Sequence, residues 1–127
     1  MNEHIAVPEI IRRYLEAYNN RDVSALADCV AERVVFENVS NRSAPMLIEG
    51  REAFVQLATQ AVEMFTERRQ TVRMAVVGKD RVALDVDWTG TPAADLGEMK
   101  AGESVSLRGA SFFTIADGRI VRIVDLS

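Results

Sequence analysis

The last two dozen residues of the chain, 104–127, constrain its fold more than any other stretch. They read SVSLRGASFFTIADGRIVRIVDLS. The Asp-Gly pair at 117 and 118 tolerates the positive φ angles of a tight turn, so the pattern predicts a hairpin of two long strands. Because side chains alternate along a strand, Val121, Ile123 and Asp125 share one face of the second strand. Asp125 is therefore expected either at a solvent-exposed edge or at the mouth of an apolar cavity.

Length and charge limit the classes of protein to which this chain can belong. A chain of 127 residues is expected to form a single domain, 1–127, with a substantial core. Its net charge of -4 argues against binding to nucleic acid or to an anionic membrane. No run approaches the roughly 18 apolar residues of a membrane span, and no secretory signal is visible. With Cys29 as its one cysteine, the chain cannot form an internal disulfide, and a cytoplasmic location is the default expectation.

The scarce residue types exclude several kinds of active site. His4 is the one histidine and lies near the N-terminus, so neither a histidine-based nucleophile nor a histidine-rich zinc site is expected. The glycine-rich loops that bind nucleotides do not occur. We therefore expect no metal and no cofactor. An enzyme of this composition would take its acid and base from carboxylates, with help from tyrosine.

The order of helical and alternating segments predicts the α+β class. Two helices, a strand and a third helix come first, and four strands follow, which is typical of helices packed on one face of a mostly antiparallel sheet. We predict helices at 9–19, 22–30 and 51–68, and strands at 33–39, 71–77, 81–89, 104–115 and 120–126.

The last strand also predicts an oligomer. Its face away from the helices would carry Ile120, Arg122, Val124 and Leu126. Three aliphatic side chains on a face that should be solvated suggest a partner surface, most simply a two-fold homodimer. The alternative is an exposed sheet that is unusually apolar.

Four segments carry a resemblance to a known family. They are YLEAYNNRDVSALADCVAERVVFEN, IEGREAF, RVALDVDWTGT and GASFFTIADGRIVRIVDL, and they span nearly the whole chain. The chain resembles the nuclear-transport-factor-2-like superfamily, in particular its SnoaL-like polyketide cyclases, ketosteroid isomerases and limonene-epoxide hydrolases. The resemblance implies a cone-shaped, cystatin-like fold, with three helices packed on a strongly curved sheet around an internal apolar cavity. It also implies a homodimer and a small hydrophobic ligand.

The isomerases suggest roles for three positions. Their general base, at the end of the first strand, matches Asn38, an amide that cannot accept a proton at neutral pH. The tyrosine of their oxyanion hole resembles Tyr14. Their neutral aspartic acid matches Ser111 or Ala110, so that acid is missing here.

The epoxide hydrolases suggest a second set of roles for positions in this chain. Their water-binding amide and tyrosine match Asn38 and Phe36, so the amide is present and the hydroxyl is not. Their terminal aspartate matches Asp125, and their middle-strand aspartate matches Asp87 or, less well, Asp85. The arginine between those two aspartates is absent.

These positions give a hypothesis for the site. Asp125 and Asp87 would divide acid and base work, with Asn38 holding a water or a substrate oxygen and Tyr14 donating to the ligand. The residues expected to contact the ligand are Tyr18, Phe36, Trp88, Ser111 and Phe113.

Strand alternation leaves the orientation of the middle strand open. Asp85 and Asp87 lie on one face, and Leu84, Val86 and Trp88 lie on the other. If the apolar face lines the cavity, the two aspartates leave it and pair with arginines. The arginines available for such pairs are Arg81, Arg108 and Arg122.

Two classes of function remain open from the sequence. The first is a cofactor-free enzyme that acts on a hydrophobic substrate, as a cyclase, an isomerase or an epoxide hydrolase. The second is a non-catalytic module that binds a ligand or dimerises. A carboxylate inside the pocket favours the first class.

Overall fold

The computed structural model describes residues 5–41 and 44–127, so His4 falls outside the described part of the chain. The helices are α1 (Glu9–Asn19), α2 (Val23–Cys29) and α3 (Arg51–Met64). The strands are β1 (Val30–Val39), β2 (Met46–Glu49), β3 (Phe65–Val77), β4 (Arg81–Pro92), β5 (Val105–Ala116) and β6 (Arg119–Leu126). The α+β class is confirmed. None of the helices in residues 5–41 and 44–127 is long and apolar enough to cross a membrane.

All six strands belong to one sheet, in the order β2-β1-β6-β5-β4-β3. β1 and β6 pair in parallel, and every other neighbouring pair is antiparallel. The parallel pair places the end of the first strand beside the end of the last one. Residues far apart in sequence are therefore adjacent in the middle of the sheet.

The first two helices agree with the sequence pattern. α1 follows Pro8 and buries one stripe, which consists of Ile10, Ile11, Tyr14 and Ala17. Asp22 caps α2, because its side chain accepts a 3.0 Å hydrogen bond from the backbone N–H of Ala25. This bond satisfies one N-terminal amide group of α2 that has no partner inside the helix.

The predicted end of the third helix was wrong. α3 ends at Met64, and Phe65 is already extended. The Arg21 guanidinium donates hydrogen bonds of 2.7–2.9 Å to three carbonyl oxygens at this junction, those of Val62, Phe65 and Thr66. The charged stretch 67–69 fits an exposed helix face as well as it fits an edge strand, where charged side chains prevent further pairing.

The short strand β2 was also missed by the sequence analysis. Its four residues pair with β1 at the sheet edge, and Met46 lies opposite Asn38. Three of the four residues are exposed, so no alternation of burial distinguishes the strand from a loop.

The helices cover one face of the sheet, called here the inner face. Its central residues are buried in one core with the helices, and they include Val34, Leu84, Phe113 and Ile123. The opposite, outer face exposes large apolar side chains, such as Val76 at 61% and Phe112 at 42%.

Ile120 does not lie on the outer face as predicted. It is fully buried, as is Ile123, although the two are an odd number of residues apart. The register between β5 and β6 shifts at this point, because Thr114 pairs with Arg122 and Ile115 pairs with Ile120. A bulge of this kind adds one residue to a strand and so reverses the alternation beyond it.

Candidate functional site

A pocket lies between the helices and the inner face of the sheet. Its volume is about 350 Å³, at the lower end of the range for small-molecule sites. Most of the lining is apolar, and it includes Leu26, Phe36, Phe54, Leu57, Phe65, Val86, Trp88 and Leu107. We call two groups of polar lining residues the carboxylate end and the arginine end, and Gln70, Arg108 and Ser127 also line the pocket.

The carboxylate end is built across three neighbouring strands. Asn38 on β1 pairs in register with Asp125 on β6, and Asp125 pairs with Ser111 on β5. Side chains in one cross-strand row project to the same face, so all three reach the pocket. The Ser111 hydroxyl donates a 2.7 Å hydrogen bond to Oδ1 of Asp125, which fixes the orientation of the carboxyl group.

Burial raises the pKa of Asp125 to about 6. Loss of hydration disfavours the charged form, and this effect outweighs the hydrogen bond from Ser111, which lowers the pKa. No other Asp or Glu lines the pocket in the described part of the chain. Asp125 is therefore the carboxylate available here, and its pKa lies close to neutral pH.

Tyr14 projects from α1 toward this end of the pocket. It is buried, and its ring packs edge-on against Phe113 with a centroid distance of 5.4 Å. Burial raises the pKa of the Tyr14 hydroxyl well above its ordinary value, and the negative charge of Asp125 raises it further. Tyr14 therefore stays protonated, and it can donate a hydrogen bond to a ligand oxygen.

The Asn38 side chain is the third polar group at the carboxylate end. Its Oδ1 atom is buried without a hydrogen-bond partner among the described residues. Buried amide groups in proteins almost always have a partner, so an unpaired one that lines a pocket is suited to a ligand or a bound water.

The arginine end consists of Arg68, Tyr18 and Trp88. The guanidinium of Arg68 stacks on the Tyr18 ring, with its central carbon 3.9 Å from the ring centroid. The Trp88 indole donates a 2.9 Å hydrogen bond from Nε1 to the Tyr18 hydroxyl. A side chain at position 90 would strike this indole, because a Cβ there would lie 2.3 Å from Cη2 of Trp88, so Gly90 is required by close packing.

The edge strand β3 is held against α1 beside these residues. The Asn19 amide donates a 3.0 Å hydrogen bond to the backbone carbonyl of Gln70 and accepts a 2.9 Å bond from its N–H. Because Asn19 follows Tyr18 and Gln70 lies two residues after Arg68, this pair of bonds sets the ring against the guanidinium.

Sequence reasoning missed Arg68, because it placed the residue in a solvated helix face. In β3 the alternation puts Glu67 and Arg69 outside, where they are exposed, and puts Arg68 and Gln70 at the pocket. Alternation counted from residue 65 would not have revealed Arg68 either, because the register between β3 and β4 shifts between Phe65 and Glu67, and Phe65 and Arg68 both line the pocket.

Asp87 is not brought to the pocket, contrary to the expected pairing with Asp125. Both aspartates of β4 lie on the outer face, because Leu84 and Val86 occupy the inner one. Asp87 pairs with Arg73 at 3.0 Å, and Asp85 accepts two bonds of 2.7–2.8 Å from Arg108. The alternative that the sequence left open, with Val86 and Trp88 facing the pocket, is the one observed.

Phe113 is the other expected contact that falls outside the pocket lining. It lies in the core behind Tyr14 and supports that ring. The remaining expected residues all line the pocket, namely Tyr14, Tyr18, Phe36, Asn38, Trp88, Ser111 and Asp125.

The arrangement supports proton transfer at a single carboxylate. Asp125 can take a proton from a substrate and return it, because its pKa is near the working pH. The Tyr14 hydroxyl and the side-chain NH₂ group of Asn38 are donors that can hold the oxygen on which charge develops. No second Asp or Glu side chain that could act as a separate acid lines the pocket among the described residues.

Comparisons with known proteins identify one family and many solved structures with a similar fold. A family model described as a SnoaL-like domain matches residues 11–123. The sequence matches no curated protein.

Three solved structures illustrate the similarity of fold. A protein from Catenulispora acidiphila with a ketosteroid isomerase-like fold, in complex with trimethylamine, has a TM-score of 0.79 at 18% identity, over 94% of this chain and 85% of that one. A proposed polyketide cyclase from Xanthomonas campestris pv. campestris has a TM-score of 0.72 at 25% identity, over 93% and 87%. An LEH-like epoxide hydrolase from M. tuberculosis has a TM-score of 0.73 at 17% identity, over 92% and 78%.

Proposed function

The chain belongs to the SnoaL-like domain family, and we propose that it is a cofactor-free enzyme of the cyclase or isomerase type that moves a proton on a small hydrophobic carbonyl compound. The observation that carries this proposal is Asp125, a carboxylate held inside an apolar pocket by Ser111 with a pKa of about 6. The pocket is taken to be the internal cavity of the cone-shaped fold.

The proposed step begins at Asp125. Its carboxylate takes a proton from the carbon next to the substrate carbonyl, and the electron pair of that C–H bond moves onto the carbonyl oxygen. The Tyr14 hydroxyl donates a hydrogen bond to the resulting enolate oxygen. In isomerisation the substrate has a C=C bond conjugated with the enolate, so that when the C=O bond re-forms the electron pair shifts to the far carbon, which takes the proton back from Asp125. In cyclisation the enolate carbon bonds to a second carbonyl carbon, the π pair of that C=O bond moves to its oxygen, and that oxygen takes the proton from Asp125.

Epoxide hydrolysis is a second candidate, and the unpaired Oδ1 of Asn38 favours it. Asn38 and Asp125 are register partners on parallel strands, so the two could orient a water between them. The reaction also needs an acid to protonate the epoxide oxygen, and Tyr14 would have to supply that proton because Asp87 lies on the outer face. Because the pKa of Tyr14 is raised, its hydroxyl is a poor proton donor for this step, and enolate chemistry is therefore the better proposal.

The proposal extends to a homodimer that covers the outer face of the sheet. An apolar row crosses four strands there, in which Val76 lies opposite Ala83, Ala83 opposite Phe112, and Phe112 opposite Val124. Large exposed apolar side chains in a continuous row are typical of interaction surfaces. Of the four residues of β6 expected on this face, Val124 belongs to the row and Arg122 is exposed, whereas Ile120 is buried and Leu126 is among the residues that line the pocket. A cytoplasmic location stays a prediction from the sequence.

Hydrogen–deuterium exchange at carbon tests the proposed reaction without knowledge of the natural substrate. The protein is incubated in D₂O with a panel of apolar cyclic ketones and 1,3-diketones, and loss of the proton next to the carbonyl is followed by NMR. Wild-type protein should speed exchange for some member of the panel, and Asp125→Asn should reduce that rate by about 100-fold or more.

Asp87→Asn is the matched control, because it makes the same chemical change in the outer-face aspartate and should leave the rate unchanged. Exchange that survives in Asp125→Asn would remove Asp125 from the reaction. Ligand binding without any exchange would favour the alternative, a non-catalytic binding module.

A further inference from the structure

The guanidinium of Arg68 is a buried charge without a counter-charge. The residue is only 8% exposed, and its Nε atom has no hydrogen-bond partner among the described residues. No carboxylate in the described part of the chain forms an ion pair with it. Arginine remains ionised in proteins, so the positive charge persists in this environment.

Asp125 is not the counter-charge, because no ion pair joins it to Arg68 among the described residues and its carboxyl group accepts its hydrogen bond from Ser111. The causes that set the pKa of Asp125 are burial and the hydrogen bond from Ser111, and the charge of Arg68 is not among them. Tyr14 and Tyr18 also distinguish the Asp125 end of the pocket from the Arg68 end. The pKa of Tyr14 responds more to Asp125 than to Arg68, whereas the pKa of Tyr18 responds more to Arg68 than to Asp125.

The two ends of the pocket are therefore spaced along α1. Tyr14 and Tyr18 are four residues apart on one helix face, about 6 Å along its axis. Apolar side chains line the space around them, including Phe65 and Val86. A ligand that reaches from Asp125 to Arg68 would be apolar over most of its length.

A buried cation without a partner is costly unless something compensates its charge. The Tyr18 ring compensates in part, because its π face attracts the guanidinium. The guanidinium also offers several N–H groups in a planar fork that suits two oxygens of one anionic group. A ligand that brings such a group to the arginine end would supply the missing counter-charge.

From this we propose that the substrate is an apolar acid, whose carboxylate or other anionic oxygen group binds Arg68 while its reacting carbon lies near Asp125. The inference rests on the proposed function only in taking this pocket as the substrate site. Beyond the proposed function, the inference specifies that the substrate is negatively charged and that its charged end lies at Arg68.

A pair of probes of equal size tests the inference by calorimetric titration at pH 7.5. The anion 2-naphthoate and the neutral 2-naphthamide differ in charge and share one aromatic skeleton. Naphthoate should bind wild-type protein about ten-fold more tightly or better, because a hydrogen bond between ionised groups is worth that much. Arg68→Met should bring the two affinities within about two-fold of each other.

Two further variants separate charge from folding. Arg68→Lys keeps the charge and should retain part of the preference for the anion. Arg69→Met changes the neighbouring arginine, which is exposed, and should leave the preference intact. Equal affinities in wild-type protein, a preference that survives Arg68→Met, or no naphthoate binding at millimolar concentration would each overturn the inference.

The failure of this inference is distinguishable from failure of the proposed reaction. Asp125→Asn should lose carbon exchange and keep its preference for naphthoate, since the anion is bound at the other end. Loss of exchange in Asp125→Asn without any anion preference in wild-type protein would leave the reaction standing and remove Arg68 as the anchor.

Discussion

Ser111 and Asp125 are opposite each other on two paired strands, and a 2.7 Å hydrogen bond joins the serine hydroxyl to the carboxylate. The bond fixes one carboxylate oxygen and leaves the other free to meet a ligand. It also limits how far burial can raise the pKa of Asp125. The geometry and the acidity of the proposed base therefore depend on one neighbouring side chain.

Removal of the Ser111 hydroxyl should raise the pKa of Asp125 above about 6, because the hydrogen bond that stabilises the carboxylate is lost. In Ser111→Ala the acid limb of the pH profile for carbon exchange should move to higher pH. Ser106→Ala, an exposed serine on the same strand, is the control and should keep the wild-type profile. A profile that stays in place in Ser111→Ala would show that this bond does not set the acidity.

The raised pKa of Asp125 also predicts how stability depends on pH. The folded protein binds this proton more tightly than the unfolded chain does, since the pKa is about 6 in one and 3.8 in the other. Ionisation of Asp125 therefore costs stability as the pH rises through 6, and the cost is absent below about pH 3.8. Asp125→Asn should be more stable than wild-type protein at pH 8, by up to about 3 kcal/mol, with the difference closing toward pH 4.

Urea unfolding at pH 4 and pH 8 measures this difference. Asp87→Asn removes an exposed ion pair with Arg73 and should change stability by less than about 1 kcal/mol. A loss of stability in Asp125→Asn that is equal at the two pH values would contradict the assignment of a desolvated carboxylate.

Tyr14→Phe should reduce the carbon-exchange rate by about 100-fold, because the enolate oxygen loses a hydrogen-bond donor in a site with little water. The fold should be retained, since the Tyr14 ring still packs against Phe113. Tyr18→Phe is the matched control, because its hydroxyl accepts the Trp88 hydrogen bond at the other end of the pocket. Similar losses in both variants would argue against a specific role for Tyr14.

Gly90→Ala should displace the Trp88 indole, because the added Cβ would lie 2.3 Å from Cη2 of that ring. Overpacking of this kind costs about 1–3 kcal/mol of stability. Trp88 is the one tryptophan of the chain, so its fluorescence reports the change directly. Thr89→Ala, at the exposed neighbouring position, should leave both the emission spectrum and the stability nearly unchanged.

Phe112→Glu should weaken the proposed homodimer, because it places a charge in the middle of the outer-face row. Light scattering coupled to gel filtration should show a smaller species at a given protein concentration. Met64→Glu adds the same charge at an exposed apolar side chain on the end of α3 and should not change the mass. A wild-type protein that is already monomeric would remove the dimer proposal.

The closing hairpin could be predicted from the sequence, because it depends on local rules. Asp117 and Gly118 adopt the positive φ angles that the turn requires, 52° and 75°. Alternation also predicted that Asp125 shares a face with Ile123, but it left open whether that face is exposed to solvent or lines a cavity; in the structure Asp125 lines the pocket.

Other features depend on contacts that a sequence pattern does not reveal. The bulge that buries Ile120 is a mismatch between two strands, and neither strand carries a signal of it. The orientation of Asp87 depends on which face of β4 meets the helices, and alternation alone fits both faces equally well. Arg68 was missed because a charged segment at a sheet edge looks like the exposed side of a helix.

The desolvation of Asp125 can be measured by titration of its carboxyl carbon in ¹³C NMR, with the signal assigned by comparison with Asp125→Asn. We expect a midpoint near pH 6, because the carboxyl group is desolvated in the pocket and held by one hydrogen bond. A midpoint near the ordinary value of 3.8 would contradict the proposal, because Asp125 would then be hydrated like a surface carboxylate and would be a weaker base than the proposed reaction uses.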